Sequence, residues 1–210
     1  MESLWNPPAE PEQSLEGWVL ADKMDTRLAV VGIGAFSLLF IGVGVAIVIG
    51  AGSWFGLLFA GFGLIFGLTL TRQARVVTRW KPGRLAFSNW PLELGGSYNA
   101  RFLRQARRGQ IGMMENLEAR LELAEVVRYT VGTDTKTDKE VVMSIPLEIS
   151  GGAYGDRIEG TIDVEIPADG PPSLDLNHNK VEWWVIVDID MTDAIDDDSR
   201  FKLAVEASRR

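Results

Sequence analysis

Residues 28–71 read LAVVGIGAFSLLFIGVGVAIVI (Leu28–Ile49), GAGS (Gly50–Ser53) and WFGLLFAGFGLIFGLTLT (Trp54–Thr71), without one charged side chain. A helix rises about 1.5 Å per residue, so the two runs reach roughly 33 and 27 Å, against roughly 30 Å of bilayer hydrocarbon. Both are apolar on every side and only small residues join them, which predicts a transmembrane helical hairpin. Core helices of a soluble protein would need a larger and less polar remainder to cover them. A cleaved signal sequence is not expected either, because the apolar core starts at Leu28, behind an acidic segment, and lacks a small-residue cleavage pattern.

The flanks of the hairpin set its expected orientation. Lys23 and Arg27 precede it and Arg72, Arg75, Arg79, Lys81 and Arg84 follow it, while the connecting turn has no basic residue. Basic residues beside a span resist translocation, so both termini are expected in the cytoplasm, in the inner (plasma) membrane. A chain without cysteine fits that placement. The formal net charge of −8 is unevenly spread: an acidic tail over 1–27, a basic neck over 72–84, and an acidic remainder. The tail, with Pro7, Pro8 and Pro11 among its acids, reads as flexible, with Trp5 and Trp18 free to dock. Arg72, Arg75, Arg79, Lys81 and Arg84 are expected to contact anionic lipid headgroups. A further group, Arg101, Arg104, Arg107 and Arg108, suits either a lipid-facing edge or a solvated strand. No nucleic-acid recognition motif accompanies these arginines.

Inside the hairpin, Gly42, Ala46 and Gly50 recur at helical spacing, as do Gly52, Gly56 and Ala60, then Gly63 and Gly67. Small residues let backbones approach, and the short turn makes packing of the two helices on each other the expected use. Neither helix carries an ionisable residue, which argues against an ion or proton path through the hairpin alone. Trp54 and Trp80 fall near the helix ends, where indoles favour the membrane interface.

Beyond residue 84 the hydrophobic period becomes two, the mark of half-buried strands. Val141, Met143, Ile145, Leu147 and Ile149 form one such set; Ile158, Gly160, Ile162, Val164 and Ile166 a second; Val181, Trp183, Val185, Val187 and Ile189 a third; and Phe201, Leu203 and Val205 a fourth. Glu115 to Val131 has a helix-prone composition, yet Leu117, Ala119, Leu121, Leu123, Val127, Tyr129 and Val131 keep the strand period, and its β-branched end decides for strand. Leu85 with Phe87, and Tyr98 through Leu103, add two more. About seven antiparallel strands over 85–207 predict a β-sandwich.

A strand ending in proline (Ile162 to Pro167), a loop with Pro171-Pro172-Ser173, and a strand opening Val181-Glu182-Trp183 together resemble the second half of an arrestin-like domain. Pro91-Leu92-Glu93-Leu94-Gly95-Gly96 is similar to a strand-opening segment of uncharacterised bacterial membrane proteins that carry a hairpin anchor and an arrestin-like or immunoglobulin-like sandwich. The resemblance covers roughly residues 85–207. It implies an adaptor that binds other proteins through strand edges and loops and has no catalytic centre, although this chain holds a single such domain tied to a membrane.

Candidate chemistry is sparse. His178 is the only histidine and lies in a polar loop, Asp175 to Lys180. Ser173, Asp175 and His178 sit in one short stretch with no nucleophile elbow, so no catalytic triad is expected. Glycine loops of the phosphate-binding kinds do not occur. Asp188, Asp190 and Asp193, with Asp196, Asp197 and Asp198 beyond, form the best metal candidate, since hard carboxylate oxygens suit calcium. As an EF-hand the loop fails, with Asp193 at the glycine position and Ser199 at the glutamate position, and a charged, solvated hairpin loop is the preferred reading. No metal, cofactor or catalytic residue is therefore expected. Trp183 follows the apolar phase, so its neighbour Trp184 faces the other side of the strand and is a candidate partner contact. The expected function is a membrane-anchored, non-enzymatic interaction module whose partners are the bilayer and an unidentified protein; the alternative is an accessory subunit bound through its hairpin to a larger membrane enzyme or transporter.

Overall fold

The computed structural model describes residues 11–15, 17–22, 26–107, 109, 111–192 and 197–208, with backbone only at 26–31, 33, 69–79 and 197. The chain forms two compact units, a helical one over Met24–Lys81 and a β unit made of Met1–Lys23 and Pro82–Arg210.

The helical unit is an antiparallel pair, α1 (Thr26–Ala51) and α2 (Gly56–Arg79). Gly52 turns the chain between them at φ +61°, a conformation that other residues adopt at a steric cost. Ser53 then starts α2, its carbonyl accepting from Gly56 N–H and its hydroxyl from Phe55 N–H. The helices meet along Ser37, Ile41 and Gly44 on α1 and Gly56, Ala60 and Gly63 on α2; a Cβ added at Gly63 would come within 2.8 Å of Ser37 O, and one at Gly56 within 2.8 Å of Val48 Cγ2. Backbones this close require glycine. The expected seam is thus correct on α2 at Gly56, Ala60 and Gly63 but out of phase on α1, where Gly44 does the packing. Gly42 and Gly50 have nothing within 4 Å of an added Cβ, and Ala46 is exposed. Phe36 and Phe66 make an edge contact at 6.0 Å and Phe40 stacks on Phe59 at 5.9 Å across the pair. Elsewhere Leu38, Leu57 and Leu68 are more than 60% exposed, so large apolar side chains line the outside of the pair. Within α1, Gly34–Ala51 is long and apolar enough to cross a membrane, whereas the apolar part of α2, Gly56–Leu68, is shorter. Helix α2 does not end at Thr71: its last two turns carry Arg72, Arg75 and Arg79, so most of the expected neck is helix.

The β unit holds β1 (Glu12–Ser14), β2 (Gly17–Ala21), β3 (Arg84–Phe87), β4 (Leu92–Glu93), β5 (Ser97–Gln105), β6 (Met114–Val131), β7 (Asp134–Tyr154), β8 (Arg157–Glu165), β9 (Leu174–Asp175), β10 (Asn179–Met191), β11 (Asp197–Leu203) and β12 (Val205–Glu206). All pair antiparallel except β12 with β4. The strand order is β1-β2-β3-β5-β8-β7-β6-β10-β11, with β9 beside β10. Strand β7 serves two sheets: up to Leu147 it pairs with β6, and from Glu148 onward with β8. The two sheets face each other, as the Phe102 ring of β5 meets Phe201 of β11 edge-on at 6.1 Å, and a Cβ on Gly160 of β8 would lie 3.7 Å from Leu117 of β6. Leu85, Phe87, Phe102, Ile158, Ile162, Leu121, Trp183, Val185 and Phe201 fill the space between them. Trp183 is fully buried, its indole N–H donating to Pro171 O at 2.9 Å, and Gly170 leaves room for its ring. Truncating a side chain of that size to alanine costs about 3–5 kcal/mol in a packed core.

The strands read from periodicity correspond to β3, β5, β6, β7, β8, β10 and β11, and Glu115–Val131 is strand, not helix. The additional strands are short or lie in the segment expected to be a flexible tail. Over Glu12–Ser14 and Gly17–Ala21 that tail is instead part of a sheet: Trp18, Val19, Leu20 and Ala21 pair with Phe87, Ala86, Leu85 and Arg84, and Leu20 is 1% exposed. Burying Leu20 against the sandwich core offsets the entropy of ordering the segment. Trp5 lies outside the described residues. The consequence for topology is that the helical hairpin is inserted between two neighbouring strands, β2 and β3.

Candidate functional site

The place where the chain leaves the β unit for the helices and comes back is built from three elements. The Asp22 N–H donates to Gly83 O at 2.8 Å, closing the β2–β3 pair. From β5, Ala100, Phe102 and Arg104 alternate toward the space between the sheets, and Arg104 is only 3% exposed. Its Nη1 donates to Asp22 Oδ2 at 3.2 Å and to Ser199 Oγ of β11 at 2.6 Å. Gly83 completes the arrangement, since a Cβ there would stand 2.7 Å from Ser199 Oγ and 3.2 Å from Arg104 Nη1. A buried charge is tolerated only when paired and hydrogen-bonded, and Asp22 and Ser199 supply both. Arg104 is therefore a structural clamp at the hairpin root, tying one sheet to the other, and not part of a basic surface. The strand phase of Ala100, Phe102 and Arg104 is the sequence signal that points to it. Arg101, one step out of phase, is exposed; Arg107 is half-buried, and Arg108 lies outside the described residues.

Of the expected membrane-surface residues, Arg72, Arg75 and Arg79 fall on α2 at spacings of three and four, which places them along one helix face, although their side chains lie outside the described residues. Lys81 and Arg84 are exposed.

Trp184 is on the outer face of its sheet, as its phase requires, but it is 8% exposed rather than open to a partner. Its indole N–H donates to Glu182 Oε2 at 3.3 Å, and Lys139 of β7 holds its ammonium 5.1 Å from the ring centroid. Lys202 pairs with Glu182 at 2.8 Å, and Arg120 bridges Glu122 and Asp188. Long charged side chains from β6, β7 and β11 thus roof Trp184, Ile186 and Ala124, burying their stems while the charged ends meet water. Half-burial lowers the pKa of Lys139 below its ordinary value, with Arg200 and Lys202 adding to the effect and Glu182 and Glu122 opposing it. Nothing in the single strand Val181–Ile189 reveals this roof, because its members come from three other strands. Trp184 therefore presents little open surface on this face.

Asp188 is engaged by Arg120, Asp190 lies on β10 opposite Asn116, and Asp193 and Asp196 are outside the described residues. Among the described residues no group of three or more His, Cys, Asp or Glu could hold a metal ion. Ser173 is tied into the fold: its hydroxyl donates to Leu203 O at 3.3 Å and accepts from Val205 N–H at 3.0 Å, while His178 is exposed and its carbonyl accepts from Arg128 N–H.

At the end of the sandwich away from the hairpin root, β6 and β7 continue as a two-stranded arm. Strand β10 pairs β6 only as far as Val127, whereas β6 and β7 pair out to Val131 and Asp134. Val127, Tyr129 and Val131 share one face of the arm and are 42%, 39% and 52% exposed. Tyr129 donates its hydroxyl to Asp138 Oδ2 at 2.7 Å, and that bond raises the phenol's pKa, with burial and the carboxylate charge adding to it. Sequence reading assigned these residues to a strand; that they overhang the sheet depends on where β10 stops.

No family model matches the chain, and no curated protein matches it. Among solved structures, the sporulation control protein Spo0M from Bacillus subtilis is similar at 16% identity and a TM-score of 0.42, over 62% of this chain. The chain spans half the length of that protein. A likeness at this level carries no argument about function.

Proposed function

We propose that the chain is a membrane-anchored, non-enzymatic β-sandwich interaction module at the cytoplasmic face of the inner (plasma) membrane, with a multi-pass hairpin and both termini in the cytoplasm. The observation that carries this reading is the insertion of a helix pair with an apolar exterior between two hydrogen-bonded strands, β2 and β3, of one domain. Basic residues from Arg72 to Arg84 lie where the chain returns to the sandwich, as contact with anionic headgroups requires. The sandwich, taken as arrestin-like in plan on the strand, proline loop and strand of Ile162 to Trp183, is the partner-binding part. Its overhanging arm, with Val127 exposed at the last β10 pair and Tyr129 and Val131 exposed beyond it, is suited to strand addition or side-chain contact by a protein.

The test exchanges residues 24–81 for an unrelated two-helix anchor and compares proteins cross-linked in cells to the native and exchanged forms. The same partner on both, lost on replacing Val127, Tyr129 and Val131 by serine, supports the module. Capture that disappears with the native hairpin refutes it.

A second reading, an accessory subunit held through its hairpin in a larger membrane complex, is favoured by one observation. Gly42, Ala46 and Gly50 form a small-residue stripe that the internal seam does not use. Loss of capture with the native hairpin, reproduced by Gly42→Leu alone, would establish this reading in place of the first.

A further inference from the structure

Strand β7 has a side that no strand covers. From Asp134 to Leu147 it pairs with β6, and β8 joins it only from Glu148. Among the described residues no other strand pairs with β7, so over 134–147 the side away from β6 is an open sheet edge. Two features close the far part of that edge. Ala124 pairs with Val141 and Leu123 with Met143, which leaves Val142 as an extra residue that bends the strand, and Pro146 has no N–H to give. The edge that remains fit for pairing runs from Asp134 to Val142, along the overhanging arm. The two-residue turn Gly132-Thr133 makes Val131 and Asp134 a hydrogen-bonded pair, and bonded and non-bonded pairs alternate from there. Thr135, Thr137, Lys139 and Val141 therefore turn their backbone groups outward.

We propose that this edge pairs with the same edge of a second copy of the chain, antiparallel about a two-fold axis at Asp138, so that two arms form one four-stranded sheet. The inference rests on the reading of the arm as the partner-binding part and names that partner as the chain itself. Charge selects both the occupant and the register. Lys136 and Glu140 are exposed, share one face of β7 and have no ion pair among the described residues. Four residues of strand hold them about 13 Å apart, too far to meet each other. About an axis at Asp138, Lys136 of each copy stands opposite Glu140 of the other, a favourable cross-strand pair made twice. The outward backbone groups meet in phase, Thr135 with Val141 and Thr137 with Lys139, and β-branched Thr135 and Val141 suit such a pair. Neighbouring registers do worse. An axis at Thr137 sets Asp134 against Glu140 and cancels the gain from Lys136 and Asp138, while an axis at Lys139 sets Asp138 against Glu140 and Lys139 against itself. The one like pair in the favoured register is Asp138 with its counterpart on the axis, where each carboxylate accepts from its own Tyr129 hydroxyl.

The chain has no cysteine, so single-cysteine forms of the full protein report one position each. Asp138→Cys, Asp134→Cys and Val142→Cys are oxidised in membranes and separated without reductant. Position 138 meets itself across the axis within disulfide reach, whereas position 134 faces position 142 and lies roughly 27 Å from its own counterpart. Linked dimer should form at 138 at least about fivefold more than at 134 or 142. Adding Lys136→Glu to Asp138→Cys should lower the linked fraction at least about threefold, and adding Glu140→Lys as well should restore it, since the exchanged charges meet again. Equal linkage at all three positions, or linkage at 138 that ignores Lys136→Glu, overturns the proposal. If serine at Val127, Tyr129 and Val131 still abolishes capture of a different protein, the arm remains the binding part and only its occupant changes. All the substituted positions are exposed, and unchanged unfolding of the variants confirms that folded proteins are being compared.

Discussion

Replacing Asp22 by alanine removes the carboxylate that pairs with the buried Arg104 guanidinium. The two side chains are 4% and 8% exposed and their closest atoms stand 3.2 Å apart. Coulomb's law at an effective dielectric of about 20 gives roughly 5 kcal/mol for unit charges at that separation, part of which the unfolded state recovers by hydrating both ions. Removing one member of such a pair is therefore expected to cost about 3–5 kcal/mol, since the other stays buried without that counter-charge. Replacing both, as Asp22→Leu with Arg104→Met, removes the desolvation cost along with the attraction and should recover most of the loss. The assay is denaturant unfolding of the detergent-solubilised full chain, followed by tryptophan emission, for wild type, the single variant and the double. A single variant destabilised by less than about 1 kcal/mol would refute the clamp, because surface ion pairs show losses of that size. A double variant no more stable than the single would refute the charge argument and leave a packing defect.

Other consequences can be measured with the same material. Gly44→Leu should force the helices apart and expose the chain to proteolysis between them, whereas Gly42→Leu should leave the helix pair intact, as an added Cβ there meets nothing within 4 Å. Residues 23–82 exchanged for Asn-Gly should yield a folded, water-soluble sandwich, because the Asp22–Gly83 bond already sets two strands in hairpin register; an aggregated or unfolded product would show that the helices supply part of the sandwich's stability. Absorbance titration of Tyr129 should place it above the ordinary 10.0, returning toward that value in Asp138→Asn. Because the folded state then holds its proton longer than the unfolded state, this group lowers stability as pH rises above 10.0. Lys139 acts with the opposite sign: the unfolded chain holds the proton up to the ordinary 10.5, so stability rises with pH between the lowered folded value and 10.5, and Lys139→Met should abolish that rise.

The residues themselves show which parts of the fold can be read along one strand and which depend on neighbours. Alternation in Ile158 to Ile166 and in Val181 to Ile189 marks β8 and β10, because each strand has one face toward a core and that demand is local. Trp18-Val19-Leu20 carries no alternation and stands between acids and an apolar run; it becomes a strand only because Ala86 and Leu85, far along the chain, offer an edge to pair with. Trp184 was legible as to face and not as to cover, since Lys139 and Lys202 arrive from other strands. In the helices, small residues at fourfold spacing marked a packing face but did not choose between the Gly42 and Gly44 stripes of α1; the approach of Gly56 and Ala60 makes that choice.

The insertion of the helices between β2 and β3 also orders events during synthesis. Strand β2 leaves the ribosome with Val19 and Leu20 uncovered, and the strand it needs is made only after both helices. Closing a long unstructured loop carries an entropic cost and slows folding. Once α1 and α2 have zipped together along Gly44, Gly56 and Gly63, the ends of the inserted segment are drawn near each other and the β2–β3 pairing becomes a short-range event. Pairing of β2 with β3 is thereby coupled to assembly of the helix pair, and a chain whose helices do not assemble keeps an uncovered sheet edge at β3.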